Sequence, residues 1–325
     1  MINRTLTIGN LAVRFYLPEN LKRVFDQAAT LSKTCNIGNA ELFYKIKFIQ
    51  FDKNTIINKK KNSRAEEIIR NYLKNPFIKS LDKKKNADLK NALLFFAQSP
   101  LLAQIIESNV ERLNRDFILY GINGRILILI DTLKKEGLVC FCYCKNFGCW
   151  INKTQSVASC IYFVLITLAS MARSFILHAS ALKTNGKGCL FIGDSGKGKT
   201  TLSKIVLRNV KSARIISDDK PLIVYKNGEF YATRVAYAEK RIGTGKVIQM
   251  MRVDKIFFIK KGKEPNLRDV DRYKVLNVIL SKHLRSNFWF QGNTKELPSL
   301  LLKFLDKFPP KELRFPKDKR FIELL

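Results

Sequence analysis

The period of apolar residues changes along this chain, and the changes mark out its elements. From Leu6 to Tyr16 apolar and polar positions alternate loosely, which predicts one or two strands. Glu41–Ile49, with Phe43, Tyr44, Ile46 and Phe48, predicts another. A polar, basic, Asn-rich loop follows between Asp52 and Arg64, and the stretches Glu66–Lys74 and Ala87–Gln98 predict short helices. Phe117–Gly121 and Arg125–Ile130 flank Ile122-Asn123-Gly124, a hairpin signal. Glu136-Gly137 then turns the chain into a strand over Leu138–Cys144. The expectation is a mostly β N-terminal region, residues 1–150, with a few helices.

The second region, residues 151–325, reads differently. Ser156–Ala172 is almost wholly apolar, falls short of a membrane span and is followed by Arg173, which predicts a buried core helix and no transmembrane segment. A strand over Phe175–Leu177 carries His178. A turn at Asn185–Gly188 leads to an apolar strand, Cys189–Ile192, and a helix over Thr201–Arg208. Ala213–Ser217 is a buried strand that ends in Asp218-Asp219. Leu222–Tyr225 and Glu229–Ala232 form a hairpin around Asn227-Gly228. A strand over Val253–Lys260 and helices over Asp271–Phe290 and Thr294–Phe308 follow, with Pro309-Pro310 stopping the last. No internal repeat is visible. The fold class expected is α/β (α+β).

Composition changes this picture little. Hydrophobic residues make up 46% of the 325, enough for a sizeable core. The formal charge of +32 points to a polyanionic partner, but the basic runs (Lys59-Lys60-Lys61, Lys83-Lys84-Lys85, Lys260-Lys261) are short and dispersed, and none is interleaved with aromatic residues. Solvated basic faces are therefore the expectation, and nucleic acid is not the expected partner. The start of the chain has no apolar leader, so a reducing, cytoplasmic setting is expected. Cys140, Cys142, Cys144 and Cys149 have the wrong spacing for a zinc site and read as small packing residues.

Between the strand at Cys189–Ile192 and the helix after it stands Gly193-Asp194-Ser195-Gly196-Lys197-Gly198-Lys199-Thr200, which fits the phosphate-loop pattern G-x-x-x-x-G-K-[ST]. Glycines let the backbone curl until consecutive N–H groups converge, and the helix N-terminus adds partial positive charge there. Lys199 would supply a full charge to the β/γ-phosphates, and the Thr200 hydroxyl would ligate Mg²⁺. Thr201 closes the predicted nucleotide-binding set. Asp218 and Asp219, at the C-terminal end of a strand, could divide two tasks that one carboxylate performs badly: taking a proton and holding a metal. Asp218 is expected as base and Asp219 as metal ligand.

His178 followed by small residues, a glycine-rich turn, this loop and then Ser217-Asp218-Asp219 together resemble the catalytic domain of the HPr kinase/phosphorylase family over roughly residues 156–325. The strand Lys255–Ile259 and the ending Glu312–Asp318 extend the resemblance. It implies a phosphate loop on a mixed, curved β structure like the nucleotide domain of phosphoenolpyruvate carboxykinase. It also implies ATP and Mg²⁺, transfer of phosphate to a hydroxyl, and oligomer formation. Carried over by position, Asp218 matches the catalytic carboxylate, Asp219 a metal-site carboxylate and His178 the histidine that assists the base. Two departures stand out. Thr201 occupies a position that is Glu in HPr kinases, and Thr233–Arg241 replaces their glycine-containing signature; within it Arg234, Lys240 and Arg241 are candidates to steady the transferred phosphoryl group. The expected activity is ATP-dependent phosphorylation of a hydroxyl on a protein, a peptide, free serine or another small alcohol. The competing readings are an ATP-sensing regulator without transfer and a basic nucleic-acid binder.

Overall fold

The structure is a computed structural model. It describes residues 1–8, 11–19, 22, 42–51, 63–74, 83–96, 100–109, 117–122, 126–142, 160, 161, 164, 165, 168, 172–234, 248, 250–280 and 296–325.

In the N-terminal region β1 (Ile2–Ile8) and β2 (Leu11–Leu17) form an antiparallel hairpin, so the loose alternation near the start is two strands. They join β3 (Leu42–Phe51), β4 (Phe117–Ile122), β5 (Ile126–Asp131) and β6 (Glu136–Cys142) in a six-stranded sheet of order β1-β2-β3-β6-β5-β4. The β2–β3 and β3–β6 pairs are parallel and the others antiparallel. Period-two patterning sorts the side chains. Val13, Phe15, Tyr44, Ile46, Phe48, Ile128, Ile130 and Val139 share one face, and all are buried. On the other face Leu127, Leu129 and Cys140 pack under α1 (Ser63–Tyr72), α2 (Lys83–Phe96) and α3 (Pro100–Ser108).

Two expectations change here. Helix α3 was not foreseen; Pro100 occupies its first turn, where the missing N–H costs nothing, and Leu102, Ala103 and Ile106 are its buried stripe. The turn expected at Glu136-Gly137 lies earlier, at residues 132–135. The Asp131 carboxylate accepts from the N–H groups of Leu133 and Lys134 (both 3.0 Å), and Lys135 takes a positive φ, so Glu136 and Gly137 already belong to β6. Cys144 and Cys149, like the loop at residues 52–62, lie outside the described residues.

The C-terminal region builds two sheets. The first has the order β10-β8-β9-β14-β16-β15, from β8 (Ala179–Thr184), β9 (Lys187–Ile192), β10 (Arg214–Ser217), β14 (Lys255–Lys261), β15 (Asn266–Asp269) and β16 (Lys311–Phe315). Its β9–β14 and β14–β16 pairs are parallel, the rest antiparallel. The second, of order β13-β12-β11-β7, consists of β7 (Ser174–Ile176), β11 (Leu222–Lys226), β12 (Glu229–Thr233) and β13 (Met250–Arg252).

The six-stranded sheet is buried on both faces. One face packs Phe191, Phe257, Ile259 and Leu313 under α4 (Lys199–Asn209) and a closing 3-10 turn (Lys319–Leu324). Helix α4 offers Leu202, Ser203, Val206 and Leu207 at the spacing of a single helical face. The other face meets the four-stranded sheet, α5 (Arg272–Val278) and α6 (Glu296–Lys307) through Phe175, Phe230 and Phe304. The Phe304 ring lies edge-on to Phe230 at 5.0 Å and to Phe175 at 5.5 Å. The described part of the first long helix is α5 and its extension to 280; residues 281–295 lie outside the described set. Of the apolar stretch 156–172, Cys160, Ile161, Val164, Leu165 and Leu168 are described as helical, and all are buried. Among the described residues no helix is long and apolar enough to cross a membrane.

Candidate functional site

The C-terminal ends of β9, β10, β14 and β16 and the start of β8 meet at one edge of the six-stranded sheet, because β9, β14 and β16 are parallel and β8 is antiparallel to both β9 and β10. At that edge the chain leaves β9 through Gly193 and enters α4 at Lys199. Gly196 (φ 79°) and Gly198 (φ 103°) adopt left-handed conformations that other residues reach only with strain. Gly198 caps α4, and a Cβ there would come within 2.9 Å of the Phe315 ring. Lys199 is buried, and its Nζ donates to the carbonyls of Gly193 (2.7 Å) and Asp194 (3.3 Å), so its charge is folded inside the loop.

His178 stands where the chain passes from one sheet to the other. The Ala179 N–H reaches back to the Leu177 carbonyl (2.9 Å), a three-residue turn with His178 at its tip. The same N–H also lies 3.1 Å from the Asp219 carbonyl, which fixes the histidine beside the acidic pair. Across β8, the register of β10 shifts between Ile215 and Ser217, an irregularity of the kind that re-aims the residues following it. Asp218 is then buried and Asp219 half-buried. His178 Nε2 lies 2.9 Å from Asp219 Oδ1, and Lys220 Nζ lies 3.6 Å from its Oδ2. The hydrogen bond from His178 is the main cause holding the Asp219 carboxyl below its ordinary value of 3.8. Burial opposes it, and the charges of Lys220 and Lys199 assist. The structure thus joins His178 to Asp219, the neighbour of the expected base.

A buried chain of serines links these segments. Ser203 Oγ, one turn into α4, donates to the Lys199 carbonyl (2.9 Å) and lies 2.6 Å from Ser180 Oγ, two residues after His178. Ser180 Oγ is also 3.4 Å from the Ser217 carbonyl, and Ser217 Oγ accepts from the N–H groups of Lys220 (3.0 Å) and Asp219 (3.4 Å). Ser180, Ser203 and Ser217 have no exposure at all. Hydroxyls so deep are stable only when satisfied, so the chain ties the loop helix, the histidine turn and the acidic pair into one unit.

Together these groups surround a cavity of about 430 Å³ lined by His178, Ser195, Gly196, Gly198, Lys199, Thr200, Thr201, Asp218, Asp219 and Lys261. Gly193, Asp194 and Lys197 shape the loop without lining the cavity. Arg234 follows β12, is half-buried and does not line the cavity, and Lys240 and Arg241 lie outside the described residues. Sequence reasoning missed Lys261 and the three serines. For Lys261 the only available signal was its place just past the strand predicted over Val253–Lys260; for Ser180 and Ser203 there was none, and Ser217 was marked only as the neighbour of the acidic pair.

The cavity's oxygen donors include the Thr200 hydroxyl and the carboxylates of Asp218 and Asp219. All are hard oxygens, which suit Mg²⁺ better than zinc. No group of three or more His, Cys, Asp or Glu residues poised for a metal occurs among the described residues. Cys140 and Cys189 are buried thiols whose pKa values burial pushes up to about 12, so neither is a ready thiolate.

No protein-family model matches the chain, and no curated protein does. Among solved structures it is similar to the HPr(Ser) kinase/phosphatase from Coxiella burnetii, at 15% identity over 43% of this chain and 85% of that one, with a TM-score of 0.27.

Proposed function

We propose that the C-terminal region binds ATP with Mg²⁺ and transfers its γ-phosphoryl group to a hydroxyl. The observation that carries this reading is that a single cavity gathers a glycine loop, a helix N-terminus, Lys199, Thr200, a buried and a half-buried aspartate, and a histidine. The loop N–H groups and the start of α4 suit a phosphate chain. Lys199 would exchange its two loop carbonyls for phosphoryl oxygens, gaining charge-assisted bonds. Thr200 and Asp219 would hold Mg²⁺, which neutralises charge on the β- and γ-phosphates.

Asp219, kept anionic by His178, is suited to the metal and is correspondingly a poor base. Asp218 is then the acceptor of the proton. The acceptor hydroxyl oxygen bonds to the γ-phosphorus, the bond from that phosphorus to the bridging oxygen breaks, ADP leaves with the electron pair, and the hydroxyl proton passes to Asp218. His178 acts through Asp219 as a positioning residue. The acceptor class is an alcohol, with a serine hydroxyl of a protein, peptide or free amino acid as the leading form.

The test is label transfer from γ-labelled ATP to a size-fractionated extract of the source cells, with Lys199→Ala alongside. A labelled product that disappears in the variant is the expected result. Tight ATP binding without any product would instead leave a nucleotide-sensing regulator.

A further inference from the structure

We propose that Lys261 is a second phosphate-binding cation of this cavity, so that the phosphate chain of the ligand bridges Lys199 and Lys261 across the mouth of the loop. This rests on the nucleotide reading above and adds to it a residue that fits no part of the sequence motif. The placement follows from sheet register. Strand β14 pairs in parallel with β9, with Phe258 opposite Ile192, so β14 continues for three residues alongside the loop that begins at Gly193. The approach is close, since a Cβ on Gly193 would fall 2.8 Å from the Ile259 side chain.

Lys261 is the last residue of that extension. Its Cε lies 3.4 Å from the point a Cβ on Gly198 would occupy, beside the Phe315 ring, so the glycine that caps α4 also leaves room for the lysine stem. Lys261 lines the cavity, and none of its described neighbours offers its ammonium a carboxylate or carbonyl partner.

The preceding residue supplies the contrast. Lys260 belongs to the opposite face of β14, where its Nζ lies 2.5 Å from Oε2 of the buried Glu312, a carboxylate that Arg268 (2.6 Å) and Arg314 (3.4 Å) also hold. Two adjacent lysines therefore differ in one respect: Lys260 has a carboxylate partner within the fold, and Lys261 lines the cavity. A polyphosphate brings several negative charges to a site where Asp218 and Asp219 already offset part of the cationic field. A side-chain cation beside Lys199 and Mg²⁺ would offset more of that charge.

The experiment is a calorimetric titration of the full chain with Mg-ATP and, separately, with inorganic pyrophosphate and Mg²⁺, on wild type, Lys261→Met, Lys261→Arg and Lys260→Met. Thermal melting confirms that each variant is folded. Lys261→Met is expected to weaken both probes about tenfold and to flatten the salt dependence of binding, as loss of one charge-assisted phosphate contact should. Lys261→Arg should stay within about threefold of wild type, since the charge remains. Lys260→Met removes the same formal charge one residue away and should leave both affinities within about twofold. Equal losses in Lys260→Met and Lys261→Met would mean a general field effect and overturn the proposal. So would binding by wild type that Lys261→Met leaves intact, with the nucleotide reading still standing. If wild type binds neither probe, the nucleotide reading itself fails and this inference goes with it.

Discussion

The two six-stranded sheets of this chain follow the same succession of pairings, antiparallel, parallel, parallel, antiparallel, antiparallel, and each borders a cavity of similar size. The N-terminal cavity has about 460 Å³ and the C-terminal one about 430 Å³. Their linings differ in kind. The N-terminal cavity lies on a sheet face, between Tyr16, Lys45, Lys47 and Leu138 and the end of α3 at Ile105 and Asn109. Its lysines are exposed, and its Asp131 is spent on closing a turn. The C-terminal cavity lies at strand ends, where backbone N–H groups, a helix N-terminus, a buried lysine and an acidic pair converge. Volume and strand pattern therefore do not separate a chemical site from a surface hollow. Convergence of buried polar groups at strand ends does.

The largest effect should come from Gly198→Val. The side chain would have to adopt a φ of 103° and enter the space of Phe315 and Lys261, so the loop would lose its shape. Mg-ATP affinity, measured by calorimetry, should fall by about a hundredfold or more, as befits the combined loss of several phosphate contacts.

Next come the buried serines. Ser180→Ala and Ser203→Ala each leave a buried hydroxyl short of a partner and should cost about 1–3 kcal/mol in denaturant titrations. The double variant should cost less than the sum of the singles, because the two hydroxyls face each other at 2.6 Å. Strict additivity would show that the serines are independent core residues and would dissolve the link drawn between α4 and the histidine turn.

A smaller effect concerns pH. Because the folded-state value of the Asp219 carboxyl is depressed below 3.8, its contact with His178 stabilises the fold above that pH. The contribution is lost as pH falls through the depressed value. The stability gap between wild type and Asp219→Asn should therefore be constant near neutrality and close in strong acid; a gap that widened on acidification would contradict the pairing. The smallest effect is expected at the other cavity. Lys47→Met should leave Mg-ATP affinity within about twofold, and a larger change would end the contrast between the two regions.

What the sequence disclosed follows the same division. The loop, the strand before it and the helix after it could be read because their chemistry is contiguous, and the antiparallel pairs β4–β5 and β11–β12 because the sequence places Asn-Gly turn signals between them. Strand β15 could not, since Asn266, Arg268 and Asp269 are exposed and polar, and only pairing with β16 makes the segment a strand. The contact between His178 and Asp219 was hidden for a similar reason. It depends on a tight turn between two sheets and on a register shift in β10, neither of which leaves a spacing pattern. Lys261 reaches the cavity only through the parallel pairing of β14 with β9, a non-local fact.

The central claim is that the strand-end cavity performs phosphoryl transfer with Asp218 as the base. Its most direct test is the rate of label transfer from γ-labelled ATP by Asp218→Asn, set against the variant's own Mg-ATP affinity. The account predicts an affinity within about threefold of wild type and a transfer rate lower by about a hundredfold or more, the range for loss of a general base. Transfer at the wild-type rate, or transfer and affinity falling by the same factor, would contradict it.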